Sequence, residues 1–138
     1  MIGVITMNNN KKFWDRNAKR YQKMQRNNKK SEMFFQKLES SITNFLNKDM
    51  NVLELAMGPA MLTKAIANNS KTLIATDYSQ EMVNEAKKLD LPSNVTLEVC
   101  DCTNMPYTDK TFDAIVIANC LHIIPDPIKA LNEIRRVL

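Results

Sequence analysis

Apolar positions in the first fifty residues recur at helical spacings, and those in the rest of the chain gather into short runs between polar turns. Phe13, Trp14, Asn17, Tyr21 and Met24 predict an amphipathic helix over 12–27 with a basic outer face. The polar stretch Asn27–Lys30 leads to Ser31, which reads as the N-cap of a second helix whose inner stripe is Phe34, Leu38, Ile42 and Phe45. After Asn47 the period changes, so a domain proper is expected from Asp49. Residues 51–56 (NVLELA), 72–76 (TLIAT), 95–99 and 112–118 (FDAIVIA) read as buried strands. Between them lie predicted helices over 60–68 and from an N-cap at Ser79 to Lys88. A last helix opens with Asp126 as N-cap and Pro127 at its first position. Its inner stripe is expected at Leu131, Ile134, Val137 and Leu138.

Strand–helix alternation with near-continuously apolar strands implies an α/β fold: a Rossmann-like parallel sheet covered by helices on both faces. Two units follow, a helical N-terminal cap (residues 1–48) and a sheet domain (residues 49–138). Crossovers in such sheets are right-handed, and ligands bind outside the carboxyl ends of the strands. The residues just past each strand therefore decide the function.

The first such loop, Glu54-Leu55-Ala56-Met57-Gly58-Pro59-Ala60, keeps side chains small where backbone would approach a ligand. It lacks the glycines of a dinucleotide fingerprint, and the whole chain has only two glycines. Asp77 follows the second strand a little over twenty residues later, where a carboxylate accepts hydrogen bonds from ribose hydroxyls. Its plainer reading is a helix cap, but Ser79 already supplies one. The third loop, from Cys100, holds Asp101 among polar residues, suited to an exocyclic amine; an acid in a loop is more often simply solvated. Asn119 to His122 follow the fourth strand.

With these loops in this order, the chain resembles class I S-adenosylmethionine (SAM)-dependent methyltransferases, especially the ubiquinone/menaquinone-type and small-molecule enzymes. The resemblance covers residues 12–138. NVLELAMGPAMLT resembles the family's glycine-rich loop, TLIATDYSQEMVNEAKK its acidic ribose segment, and VCDCTNMPYTDKTFDAIVIANCLHIIPDP its adenine loop and fourth strand. FWDRNAKRYQKM resembles the helix that folds over the cofactor. The resemblance implies SAM as cofactor and a small-molecule methyl acceptor. It implies that Glu54 reaches the SAM amino group, that Ala56 and Gly58 pass its methionine part, and that Asp77 binds the ribose. Tyr78 and Met82 would lie against adenine, Asp101 and the Cys102 backbone would read its edge, Asn119 would offer its carbonyl, and Tyr21 would close the pocket. His122 is the candidate base. The implied strand order is 3-2-1-4.

Two departures qualify the resemblance. Ala56 and Ala60 replace motif glycines, and alanine with positive φ costs about 1 kcal/mol. The chain also ends inside an amphipathic helix, where family members continue into further strands, so it reads as a truncated member. Its fourth strand would lie at an edge, and self-association or a partner covering that edge is expected.

Composition changes little. With 44% hydrophobic and 25% charged residues the chain is an ordinary globular one, and no apolar run approaches the roughly 20 residues of a membrane span. Cys100, Cys102 and Cys120 form neither a disulfide framework nor, with the lone His122, a zinc site. Free thiols suit a cytoplasmic protein. The start, MIGVITMNNNKKF, has its charges after its apolar part, the reverse of a secretory signal. It reads as a frayed tail or vector-derived run. Charge is uneven: residues 1–50 carry eleven Lys/Arg against four Asp/Glu, and residues 51–138 carry eight against eleven. The basic segment is a solvated helical face or a contact for nucleic acid or anionic lipid. Beside the methyltransferase reading stand a catalytically impaired SAM- or nucleoside-binding fragment and a nucleic-acid-binding protein.

Overall fold

The computed structural model describes residues 7–138, with side chains from Asn10. Helices α1 (Met7–Arg26) and α2 (Lys29–Thr43) precede β1 (Asn51–Leu55), α3 (Thr63–Asn68), β2 (Thr72–Asp77), α4 (Gln80–Ala86), β3 (Val95–Val99), β4 (Ala114–Ile117) and α5 (Pro127–Val137). The strands form one parallel sheet in the order β3-β2-β1-β4. This is the Rossmann-like arrangement that the alternation implies.

Strand parity divides the core. Val52, Leu73, Ala75 and Val116 point to one face, where Ile66 of α3, Val83 and Ala86 of α4, and Phe35, Leu38 and Ile42 of α2 pack on them. Leu53, Leu55, Ile74, Ile115 and Ile117 point to the other, against Val137 and Ile134 of α5 and Met105 and Phe112 of the loop before β4. Leu53 and Leu55 are almost wholly buried. Each such side chain contributes about 1.5–3 kcal/mol by leaving water.

Caps explain several boundaries. Ser79 Oγ accepts from Met82 N–H, and Asp126 Oδ1 accepts from Lys129 N–H with Pro127 at the first position, both as expected. At α2 the cap is not Ser31. Asn28 Oδ1 accepts from Lys30 N–H (2.9 Å) and Ser31 N–H (3.4 Å), so the helix starts three residues earlier. The inner stripe of α2 is Phe35, Leu38 and Ile42, continued past its end by Leu46, and Phe34 and Phe45 are exposed. Both stripes fit a 3.6 period; the position of β1 and α3 selects one. On α5 the inner residues are Ala130, Ile134 and Val137, whereas Leu131 and Leu138 are exposed.

Helix α1 also starts earlier than its apolar pattern suggests, at Met7, so residues 7–13 are helical rather than a frayed tail. The rest of the segment read that way, residues 1–6, lies outside the described residues. Its buried side is marked by Ala18 and Gln22, while Phe13 and Met24 face outward.

Candidate functional site

Where the chain leaves β1 it must turn sharply beneath α1 to enter α3. Three residues take the left-handed conformation to do so: Ala56 (φ 53°), Gly58 (φ 52°) and Ala60 (φ 55°). The turn is held by Met57 N–H to Thr76 O and Ala60 N–H to Met57 O, each 2.9 Å. Two alanines thus stand where L side chains are strained. At Gly58 a Cβ would meet nothing closer than Ala56 O at 4.0 Å, so that side of the backbone opens on space. The space is a cavity with about 150 Å³ of water-accessible room at the carboxyl ends of the strands.

Asp77, the last residue of β2, forms part of its wall and is 9% exposed. Its Oδ2 accepts from Gly58 N–H and its Oδ1 from Ser79 N–H, both at 2.9 Å, which ties the β1 turn to the start of α4. Burial pushes its pKa up, and the backbone N–H groups of Ser79, Gly58 and Tyr78 pull the other way; Asp15 adds to the rise. A carboxylate has about four acceptor sites, so two bonds leave capacity for a ligand's hydroxyls.

The loop after β3 adds Asp101, whose Oδ1 accepts from both the N–H and the Oγ1 of Thr103 at 2.8 Å. Cys100, Cys102 and Cys120 also border the cavity. Burial, with nearby acids and thiols, pushes them up to about 12, 11 and 12, so all three stay protonated thiols. Asn119, past β4, lines the cavity in the left-handed conformation (φ 55°), which asparagine tolerates.

Helix α1 closes the top. Its inner side brings Asn10, Trp14 and Tyr21 to the cavity, with Trp14 and Tyr21 edge to face at 5.3 Å. Polar contacts hold the helix down, among them a 3.4 Å bond from Glu81 N–H to Asp15 Oδ1. Ser79 Oγ donates to Asp15 Oδ1 (2.6 Å), Asn10 Nδ2 to Ile123 O (3.2 Å), and Arg26 Nη2 to Pro59 O (2.8 Å).

Of the residues singled out from sequence, Tyr21, Ala56, Gly58, Asp77, Tyr78, Met82, Asp101, Cys102 and Asn119 all line this one cavity. Two do not. Glu54 points into the α3 face of the core, where Thr63 Oγ1 donates to its Oε2 at 2.7 Å. Burial, opposed by that bond and reinforced by Asp77, raises its pKa to about 7. His122 is exposed in the one-turn 3₁₀ helix Leu121–Ile123 and is not among the cavity-lining residues, whereas Ile123 of the same turn, itself 40% exposed, borders the cavity. Sequence reading missed Asn10, Trp14, Phe35, Ile123 and Ile124. Positions 10, 14 and 21 share one helix face, and of these only Asn10 lies outside the helix that the apolar pattern predicts over 12–27.

Chemically, the wall carries two carboxylates, Asp77 and Asp101, and among the described residues no Lys or Arg. Lys11 Nζ lies over the Tyr78 ring at 5.6 Å and Arg26 is bonded to Pro59 O, so these cations stand behind lining residues, while a phosphate inside the cavity would face the two carboxylates directly. A cationic, hydroxyl-bearing ligand is matched by the acids and by the faces of Trp14 and Tyr21.

Comparison with known proteins agrees with this chemistry. A family model described as a methyltransferase domain matches residues 53–138. The ubiquinone/menaquinone biosynthesis C-methyltransferase of Rickettsia prowazekii is 34% identical over 102 residues, covering 67% of this chain and 41% of that protein. The demethylmenaquinone methyltransferase of Lactobacillus johnsonii is 34% identical over 112 residues, covering 76% and 43%. The chain thus spans about two-fifths of the length of these curated relatives. Among solved structures, a SAM-dependent methyltransferase from Aquifex aeolicus superposes with a TM-score of 0.61 at 27% identity, over 77% of this chain and 66% of that one. A Methanococcus maripaludis protein shares the fold at a TM-score of 0.77 and 22% identity, over 90% and 58%.

Proposed function

The chain belongs to the methyltransferase domain family, of the class I SAM-dependent kind, and from that premise we propose that its cavity binds SAM and serves methyl transfer to a small-molecule acceptor. The observation that carries this reading is the wall of the cavity. It joins a buried carboxylate at the end of β2, tied to the Gly58 N–H, to a lining that among the described residues includes Asp101 and no Lys or Arg. SAM suits these acceptors, since it offers ribose hydroxyls, an ammonium and a sulfonium against a single carboxylate and carries no phosphate. When bound it supplies a methyl group on an already activated carbon.

The residues of the chain then have distinct tasks. Asp77 accepts from the ribose hydroxyls, with Tyr78 and Met82 beside the base. Asp101 and the Cys102 backbone face the adenine edge. Ala56, Gly58 and Asn119 present backbone to the methionine end. Trp14 and Tyr21 exclude water and orient the reactants, which is the main contribution a protein makes to such a displacement. The protonated thiols are unsuited to accept a proton, and His122 stands outside the cavity. Acceptors that react without a protein base suit this site best.

A second reading, a SAM- or nucleoside-binding module without turnover, is favoured by one observation: strain at Ala56 and Ala60 lies in the cofactor turn itself. A labelled-methyl assay on cell extract separates the two. Methyl incorporation dependent on the protein supports the enzyme; SAM binding without incorporation supports the module.

The division into a cap (1–48) and a SAM-binding domain (49–138) follows the same logic, α1 being a lid on a sheet-borne site. The free thiols suit a cytoplasmic protein, and no described helix is long and apolar enough to cross a membrane. Two copies joined at β4, which pairs only with β1 among the described residues, complete the reading. Sedimentation would show them as a dimer, and a stable monomer at high concentration would refute that part.

A further inference from the structure

The inner side of α1 lines the cavity, and its outer side has no partner among the described residues. Lys12, Arg16, Lys19, Arg20 and Lys23 follow one another at spacings of four, three, one and three, and all five are exposed. At 3.6 residues per turn these positions share one side of the helix and run along about 16 Å of it. No described residue forms an ion pair with any of them. The single acid of the helix, Asp15, is one turn from Lys12 and Lys19, but its carboxylate is engaged by Ser79 Oγ and the Glu81 N–H of α4 and forms no ion pair with either. Flanking the stripe are Phe13 and Met24, 55% and 51% exposed, and just beyond the bend at Asn28 come Met33 and Phe34, 54% and 47% exposed, beside Lys29, Lys30 and Lys37.

Five exposed like charges on one face, none of them in an ion pair, repel each other, and an anionic partner would relieve that repulsion. The apolar side chains beside them decide which polyanion. A basic stripe edged by phenyl and thioether groups matches an anionic bilayer surface, where the bases meet headgroup phosphates and the apolar groups enter the acyl boundary. We propose that the outer face of α1, with the start of α2, is a docking surface for anionic phospholipid membranes. Docking would place the bilayer on the helix that roofs the cavity. The surface is independent of whether the cavity binds SAM.

The test is sedimentation of the full chain with vesicles. With vesicles of phosphatidylcholine containing about a third phosphatidylglycerol, binding is expected at 50 mM salt and loss of most of it at 500 mM, as screening shortens the reach of the charges. Pure phosphatidylcholine vesicles should bind at least tenfold more weakly. The triple variant R16Q/K19Q/K23Q, altered only at exposed positions, should lose about fivefold per charge and thus about 100-fold. Equal partition to neutral and anionic vesicles, or no binding to either, would overturn the proposal without bearing on the cofactor site. Tight binding to single- or double-stranded nucleic acid at equal phosphate concentration, with none to vesicles, would overturn it in favour of the other polyanion.

Discussion

Replacing Ala56 by glycine should stabilise the protein, whereas the same change at Ala60 should not. Both residues have φ near 54°, where an L side chain costs about 1–2 kcal/mol relative to glycine. Glycine also gives the unfolded chain more freedom, returning about 0.4–1 kcal/mol of that gain. At Ala56, half-buried on the cavity wall, little packing is lost, so Ala56→Gly should add about 0.5–1 kcal/mol. Ala60 is 4% exposed and belongs to the core cluster of Val52, Leu62 and Ile66. Removing its methyl forfeits about 0.8 kcal/mol of burial, which cancels the relief. Urea unfolding followed by circular dichroism reads the difference. With a slope of about 2 kcal/mol/M, Ala56→Gly should raise the midpoint by about 0.25–0.5 M, and Ala60→Gly should leave it within about 0.15 M. A midpoint lowered by Ala56→Gly, or raised more by Ala60→Gly than by Ala56→Gly, would refute the reasoning that backbone strain and buried volume set the balance in this turn.

Other consequences follow from single contacts. Glu54, raised to about 7 in the folded chain from an ordinary 4.5, holds a proton that the unfolded chain releases earlier. Its contribution to stability therefore falls as pH rises from about 4.5 to 7 and stays about 3 kcal/mol lower above that. Glu54→Gln should flatten the stability profile across that window, and denaturation at pH 5 and pH 8 would show it; parallel profiles for the two proteins would refute it. Asp15→Ala leaves the buried Ser79 hydroxyl without its acceptor, so α1 should loosen. A loss of about 1.5–2 kcal/mol and faster amide exchange along α1 are expected, and unchanged exchange would mean the contact does not hold the lid. His122→Ala should leave methyl transfer unchanged, since the side chain lies outside the cavity; a tenfold fall in turnover would return His122 to the mechanism.

What could be read from the sequence was what is set locally. The strands themselves, the caps at Ser79 and Asp126, and the post-strand positions of Asp77, Asp101 and Asn119 follow from periodicity and punctuation, whereas the strand order rests on the family resemblance. Choices between equivalent local patterns could not be read. Phe34 and Phe35 each fit an amphipathic α2, and only the location of β1 and α3 selects Phe35. Asn28 and Ser31 are both good caps, and the helix began at the earlier one. Glu54 follows the alternation of β1 into the core, so the parity that makes the strand also turns its carboxyl away from the cavity. His122 was placed correctly in sequence, just past β4, but in the 3₁₀ turn there Ile123 borders the cavity and His122 does not. The cavity's roof was underestimated because the polar start of α1, Met7 to Lys11, offers no apolar stripe.

The central claim, a cavity built for a cationic nucleoside through Asp77, is tested most directly by calorimetric titration of the full chain and its Asp77→Asn variant with SAM, using NAD as control. An amide at 77 keeps the size but presents an NH₂ to the N–H of Gly58 or Ser79, so one buried donor loses its acceptor along with the charge. The expected result is one-to-one binding of SAM, no heat with NAD, and a loss of about 100-fold or more in the variant. SAM failing to bind at millimolar concentration, or binding equally well to Asp77→Asn, would contradict the account.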